Sequence, residues 1–385
     1  MKRPTILYSL LQAFFWSAWA ALFGFSSTYL LAAGLSSFRI GSVMGICSLV
    51  SAVLQPVLAG WMDRTAHRYL KTGIILFSLV SIAVCFVMLF WQVMPGILFG
   101  LCAGLLQMMA PLVNALAADN PDTDFGISRG IGSLGYAVVF PLIGIFTARW
   151  KADAAVAAAA AGFAGTILMT CLFPVTRTAA NTVSAAPQES SSFVRRYRSF
   201  MLVLAGVLLL YISHVFLGNY GYQIVLHKGG DSVAYGNGGS IAALFELPTM
   251  FLFARLLRFR PASFWVRITG ISFFLKALTI FLAHGMGGYY AAMAFQLSGW
   301  GMIQVASVYY VNEVIAPEDT VRGQSLFTSA LALATVIGSF AGGWLLDRFS
   351  VPALTGTAAL LAAIGAVIVF LCMRTDHDHQ QRPAD

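Results

Sequence analysis

Long apolar runs, following one another with almost no polar interruption, constrain this chain more than any other feature. They fall at about 5–31, 37–61, 72–92, 94–117, 127–148, 154–174, 199–226, 236–257, 264–284, 288–312, 323–346 and 351–373. About 20 apolar residues span a bilayer as an α-helix, so the pattern predicts twelve transmembrane helices. Only 10% of the residues are Asp, Glu, Lys or Arg and 59% are apolar, which excludes a water-soluble globule of 385 residues and an intrinsically disordered chain. Unbroken runs, in place of short alternating segments, also exclude a membrane β-barrel. The expectation is an all-α membrane protein embedded in a lipid bilayer.

The longest polar stretch lies near the midpoint, is rich in Ser, Ala and Thr, and carries Arg195, Arg196 and Arg198. It divides the chain into an N-terminal six-helix half (1–175), a linker (176–198), a C-terminal six-helix half (199–373) and a tail (374–385). The halves echo each other. Val113-Asn114, Pro121-Asp122 and Arg129-Gly130 in one recur as Val311-Asn312, Pro317-Glu318 and Arg322-Gly323 in the other, which points to an internal repeat.

Basic residues set the orientation. With both termini inside, sixteen loop Lys and Arg, among them Lys2, Arg64, Arg68, Arg177, Arg258 and Arg374, lie on the cytoplasmic side. Five lie outside: Arg39, Arg149, Lys151, Lys228 and Arg348. The net charge of +8 is therefore read as membrane orientation in a cell (inner) membrane, not as a nucleic-acid surface. The five cysteines sit inside apolar runs without CxxC spacing and read as packing residues. No HExxH, GxSxG or Walker A run occurs, so neither an enzyme, a cofactor nor a metal site is expected. Gly130, Gly132 and Gly135 have dinucleotide-fingerprint spacing, but they lie within an apolar span and no βαβ unit surrounds them. They are assigned to helix packing.

Apart from the basic residues at run ends that are assigned to loops, three charged residues, Glu246, Lys276 and Arg129, fall inside apolar runs. Glu246, in Leu244-Phe245-Glu246-Leu247-Pro248, is the only acid near the middle of one. An ionised side chain there costs about 2.5–3.5 kcal/mol on insertion scales, so it must face a cavity, carry a proton or be paired. Lys276, central in the next run, is the expected partner; a purely structural ion pair is the alternative. Arg129 and Tyr136 are separated by two helical turns and so share a face, where a guanidinium fork and a ring suit a hydroxylated solute. The alternative is an Arg129 that snorkels to the interface. His214 is read as a core histidine making one buried hydrogen bond.

The turn Gly60-Trp61-Met62-Asp63-Arg64 with Arg68 resembles the signature loop of the major facilitator superfamily, Gly-x-x-x-Asp-Arg-x-x-x-Arg, one residue short between Gly60 and Asp63. The resemblance implies the major facilitator fold and makes Gly60, Asp63, Arg64 and Arg68 a conformational gate. Within that superfamily, Phe125 to Tyr136 is similar to the fifth helix of the lactose-permease group of proton-linked sugar symporters, with Arg129 and Tyr136 on its sugar-binding positions. Further matches place Asn114 where that group has an acid paired to the arginine, Glu246 on its essential glutamate, and Lys276 on an arginine. Gln296 and Gly299 stand where its proton-handling histidine and glutamate lie. The resemblance implies a monomeric, proton-coupled transporter of a small-molecule substrate, a sugar or oligosaccharide. The alternatives are a nucleoside or small aromatic or organic acid symporter, or a drug exporter. The expected substrate contacts are Asn114, Arg129, Tyr136, Lys276 and Gln296, with Glu246 carrying the proton.

Overall fold

A computed structural model describes residues 1–64, 69–91, 93–175 and 190–373, without the side chains of Ala59, Asp63, Arg64, Ala118 and residues 190–192. Arg68, the segment 176–189 and the tail lie outside the described residues, as do the side chains of Asp63 and Arg64.

The first crossing is α1 (Arg3–Trp19), a π-turn at Ala20–Gly24 and α2 (Ser26–Ala32). The rest of the N-terminal half is α3 (Ser37–Arg64), α4 (Leu70–Trp91), α5 (Pro95–Ala118), α6 (Phe125–Trp150) and α7 (Asp153–Leu172). A short α8 (Ser190–Arg196) leads into α9 (Arg198–Asn219) and α10 (Gly221–His227), the two pieces of the seventh crossing. Then come α11 (Ser232–Leu256), α12 (Ala262–Leu282), α13 (Met286–Met293), α14 (Trp300–Val314), α15 (Thr320–Arg348) and α16 (Val351–Cys372). At about 1.5 Å per residue, a 22-residue helix such as α16 covers roughly 33 Å, enough for a 30 Å hydrocarbon core. Phe90, Ile97 and Leu371 are each about 70% exposed, and such large apolar side chains on the outside suit lipid, not water.

Among the described residues, eleven helices are long and apolar enough to cross as continuous elements. The tenth crossing departs from the expected unbroken helix over 288–312. It is built from α13, a 3-10 turn at Ala294–Gln296, and α14. Hydropathy does not register the break, because Leu297 and Trp300 keep the run apolar on either side of Ser298-Gly299.

Within the halves α1 packs on α6 and α7, and α9 on α16; between the halves α3 packs on α15 and α6 on α11. Gly132 and Gly135 press α6 onto Gln12, Ala13 and Trp16 of α1, as the packing assignment required. Both halves tie their first helix to their fourth-to-fifth connection. In one, Lys2 reaches the Asp122 carboxylate at 2.5 Å and the Thr5 hydroxyl donates to the Asp122 carbonyl at 2.8 Å. In the other, Arg196 lies 3.4 Å from both Glu318 and Asp319, and the Tyr197 hydroxyl donates to Asp319 at 2.9 Å. The end of the expected linker is thus helical: α8 buries Phe193, over which Arg322 stacks at 4.5 Å. Among the cysteines, Cys47, Cys85 and Cys102 are buried, whereas Cys171 is exposed on its helix and does not pack inside.

An even number of crossings puts the start of α1 and the end of α16 on one face, here the terminal face. The halves are joined on the opposite, distal face. The Asp347 carboxylate accepts the backbone N–H groups of Ser37 at 2.8 Å and Phe38 at 2.9 Å, capping the start of α3 from the end of α15. Tyr235 donates to the Gly24 carbonyl at 2.5 Å and Ser232 to the Gly144 carbonyl at 3.0 Å. Among the described residues no hydrogen bond joins the halves at the terminal face. Asn114 and Asn312 are exposed near the terminal ends of their helices, and Gln324 donates to Asn312 at 3.5 Å. The hydrogen bonds that join the halves are thus concentrated on the distal side, while near the terminal face Phe251 of α11 still packs on Gly130 of α6.

Candidate substrate and coupling site

The break in the tenth crossing organises the C-terminal half of the site. It frees backbone groups that membrane cannot satisfy, and neighbouring side chains take them up. The Thr249 hydroxyl of α11 donates to the Leu297 carbonyl at 2.5 Å. The Gly299 N–H returns to the Phe295 carbonyl at 2.8 Å, and the Ser272 and Ser298 hydroxyls meet at 2.7 Å. Just beyond, a Cβ on Gly301 would lie 3.0 Å from the Glu246 Cα, so a glycine is needed for α14 to approach α11 this closely.

This scaffold aims the Gln296 amide between the two C-terminal charges. Lys276 donates to the Gln296 side-chain oxygen at 2.7 Å, and the Gln296 amide nitrogen donates to Glu246 Oε1 at 2.9 Å. An ammonium only donates and a carboxylate only accepts, so one orientation of the amide serves both. Lys276 is 7% exposed and Gln296 6%, while the second oxygen of half-buried Glu246 has no hydrogen bond and is open to the space between the halves. The expected direct Glu246–Lys276 pair is therefore replaced by a relay. The reason is positional: the helix break places Gln296 between them.

In the N-terminal half, Arg129 points inward. One guanidinium nitrogen donates to Ser133, a turn deeper in the same helix, at 2.8 Å, and the group stacks over Trp16 at 3.9 Å. Trp16 lies about 20 Å along the first crossing from its terminal end, so the guanidinium reaches towards the membrane middle and does not snorkel outwards. Trp16 donates to the Gln12 oxygen at 2.9 Å, and Gln12 donates to Tyr8 at 2.7 Å. Tyr8 in turn donates to the Val113 carbonyl at 2.9 Å, locking the chain to α5. Arg129 and Glu246 lie within electrostatic reach of each other across the gap, yet no ion pair joins them among the described residues.

Tyr136 packs against Phe140, with centroids 5.1 Å apart, and also lies within reach of Glu246, so it shares the side that Arg129 occupies. Asn114 is exposed and makes no hydrogen bond to Arg129. His214 departs from expectation: its Nδ1 is buried without a hydrogen bond, and the ring stacks on Trp300 at 4.8 Å, which itself stacks on Tyr211 at 5.1 Å. A helix-facing aromatic surface, not a polar one, surrounds that imidazole. At the expected gate, no described atom lies within 4 Å of a Cβ on Gly60.

Several contributors carry no isolated sequence signal. Gln12 and Thr249 sit in ordinary polar positions of apolar helices. Asp347 is different: Gly343-x-x-x-Asp347-Arg348 has the full Gly-to-Asp spacing that the Gly60 turn lacks, and that repetition was the available signal.

The fold is shared with solved transporters. A nucleoside transporter, NupG, superposes with a TM-score of 0.74 at 14% identity, covering 97% of this chain and 98% of that one. An auto-inhibited POT family peptide transporter superposes with a TM-score of 0.71 at 13% identity, covering 100% and 99%. No curated protein matches the chain in sequence. The MFS_1 like family matches residues 5–355, which is most of the chain, and the protein, an all-α membrane protein of the transporter type, belongs to that family.

Proposed function

We propose that this chain is a secondary transporter that carries a small polar organic solute by alternating access, with Glu246 as the group that takes up and releases a proton. One observation carries the reading: a carboxylate fixed on one oxygen by the Lys276–Gln296 relay and open on the other, facing Arg129 of the opposite half. A relay holds the acid in place as the halves rock, while the open oxygen can exchange a proton with the cavity. The residues proposed to meet solute are Arg129, Tyr136, Gln296, Lys276 and Asn114. The gate is assigned to Gly60, Asp63, Arg64 and Arg68. Both termini and the central linker are placed in the cytoplasm of a cell (inner) membrane, with the halves bounded at 175 and 199 and the monomer as the working unit.

For cargo, the fifth-helix resemblance favours a sugar or oligosaccharide. A second reading, a nucleoside or a small aromatic acid, is supported by the parallel rings of Tyr211, Trp300 and His214 and by the stacked Trp19 and Phe23, 4.5 Å apart. Purified protein in proteoliposomes is the test: solute addition should draw protons in with wild type and not with Glu246→Gln. Solute flux without proton movement in wild type removes Glu246 from coupling.

A further inference from the structure

The charges brought to the interior do not balance. Lys276 and Glu246 neutralise each other through Gln296, and both of the relay's amide functions are used. Arg129 has no such counterpart. Its hydrogen-bonding partner is a neutral hydroxyl, its face rests on an indole, and Glu246 stands across the gap without pairing. The other described acids near its end of the membrane are committed elsewhere. Asp124 accepts the Ile127 N–H at 2.9 Å, Asp122 holds Lys2, and Glu313 accepts the Ser263 N–H at 3.1 Å. Asn114, which starts from the same depth as Arg129 about one turn inside its helix end, is neutral. The three interior groups therefore sum to one positive charge with Glu246 ionised and to two with it protonated.

Arg129 is half-buried, its one side-chain hydrogen bond runs to a neutral hydroxyl, and a guanidinium held this far into the membrane is best compensated by an anion. Resting on the transport reading, and choosing its small-acid cargo over the sugar, we infer that the missing anion arrives with the cargo: the substrate is a small organic monoanion, a carboxylate received by Arg129. The guanidinium fork matches a carboxylate in two parallel N–H···O bonds, which a hydroxyl or an amide cannot reproduce. Trp16, with Trp19 tilted against it and Phe23 stacked on Trp19, supplies aromatic surface for a planar body attached to that carboxylate. Cotransport of one proton on Glu246 then carries the anion across with no net charge.

Matched probes test this on the full-length protein in proteoliposomes and by calorimetry: phenylacetate and phenylacetamide, with lactose and uridine as neutral cargoes. Wild type should bind phenylacetate at least tenfold more tightly than phenylacetamide and take it up. Arg129→Gln should bring that ratio to near one, and Arg129→Lys should keep part of it. Because the readout is a ratio within each variant, a general loss of folding does not imitate the result. Uptake of lactose or uridine but not phenylacetate overturns the inference and leaves the transport reading standing. Uptake of none of the four by wild type counts against both. A ratio near one in wild type, or a ratio untouched in Arg129→Gln, also overturns it.

Discussion

The two halves share a plan and differ in chemistry. Each anchors its first helix to its fourth-to-fifth connection, and each sends a broken first element across the membrane, α1 to α2 in one and α9 to α10 in the other. Their fourth elements differ: α5 runs unbroken from Pro95 to Ala118, while its counterpart is interrupted at Ala294–Gly299. The interruption lets a side-chain amide reach between two charges, and the half that lacks it holds a single arginine against a tryptophan. The repeat thus supplies scaffold, and departures from the repeat supply function.

The strongest way to break this contrast is to neutralise the relay's acid. Glu246→Gln should reduce proton-driven accumulation to the equilibrated level while solute exchange across the membrane persists, measured as uptake against counterflow in the same vesicles. Loss of both together assigns Glu246 to binding instead. Next in size is Gln296→Leu, which strands an ammonium and a carboxylate in the interior. About 3 kcal/mol of stability should be lost, visible as earlier unfolding in detergent, and a neutral outcome means that the two charges re-pair directly.

The N-terminal half should answer differently. Trp16→Leu removes a stacking contact of about 1–2 kcal/mol, so substrate affinity should fall roughly five- to thirty-fold by calorimetry while proton uptake per solute carried stays unchanged. A changed proton ratio would merge the two halves' roles. The smallest effect is expected outside both sites. Asp347→Ala removes a cap of about 1 kcal/mol, so a cysteine placed at Ala137, buried between the halves, should react severalfold faster with an impermeant thiol reagent from the distal face. Unchanged reactivity would show that Tyr235 and Ser232 suffice to hold that face.

Much of this was legible residue by residue. Twelve apolar runs carry the fold, eleven of them as helices long and apolar enough to cross on their own and the tenth with help from its neighbours. Glu246, Lys276 and Arg129 stand out because charge inside such a run demands a reason. What could not be read is who meets whom. Gln296 looks neutral in sequence, and only the broken helix turns it towards both charges. Trp16 is one of several aromatics in its helix, and its contact with Arg129 depends on how α1 lies on α6. His214 shows the same limit, since two of the three rings around it, Phe273 and Trp300, come from other crossings. The Asp347 cap has its partner 310 residues away, beyond any local pattern.

That cap has a further consequence for how the protein tolerates change. Its donors are the main-chain N–H groups of residues 37 and 38, which every amino acid but proline provides. One side of the distal closure therefore rests mainly on the main chain, with the Ser36 and Ser37 hydroxyls and the Phe38–Phe340 ring contact in support, and the other depends on a single carboxylate. Substitutions at Ser37 and Phe38 other than proline should keep the cap and lose only a supporting hydroxyl or ring contact, whereas Asp347 is a position at which one base change alters how readily the protein opens to its far side.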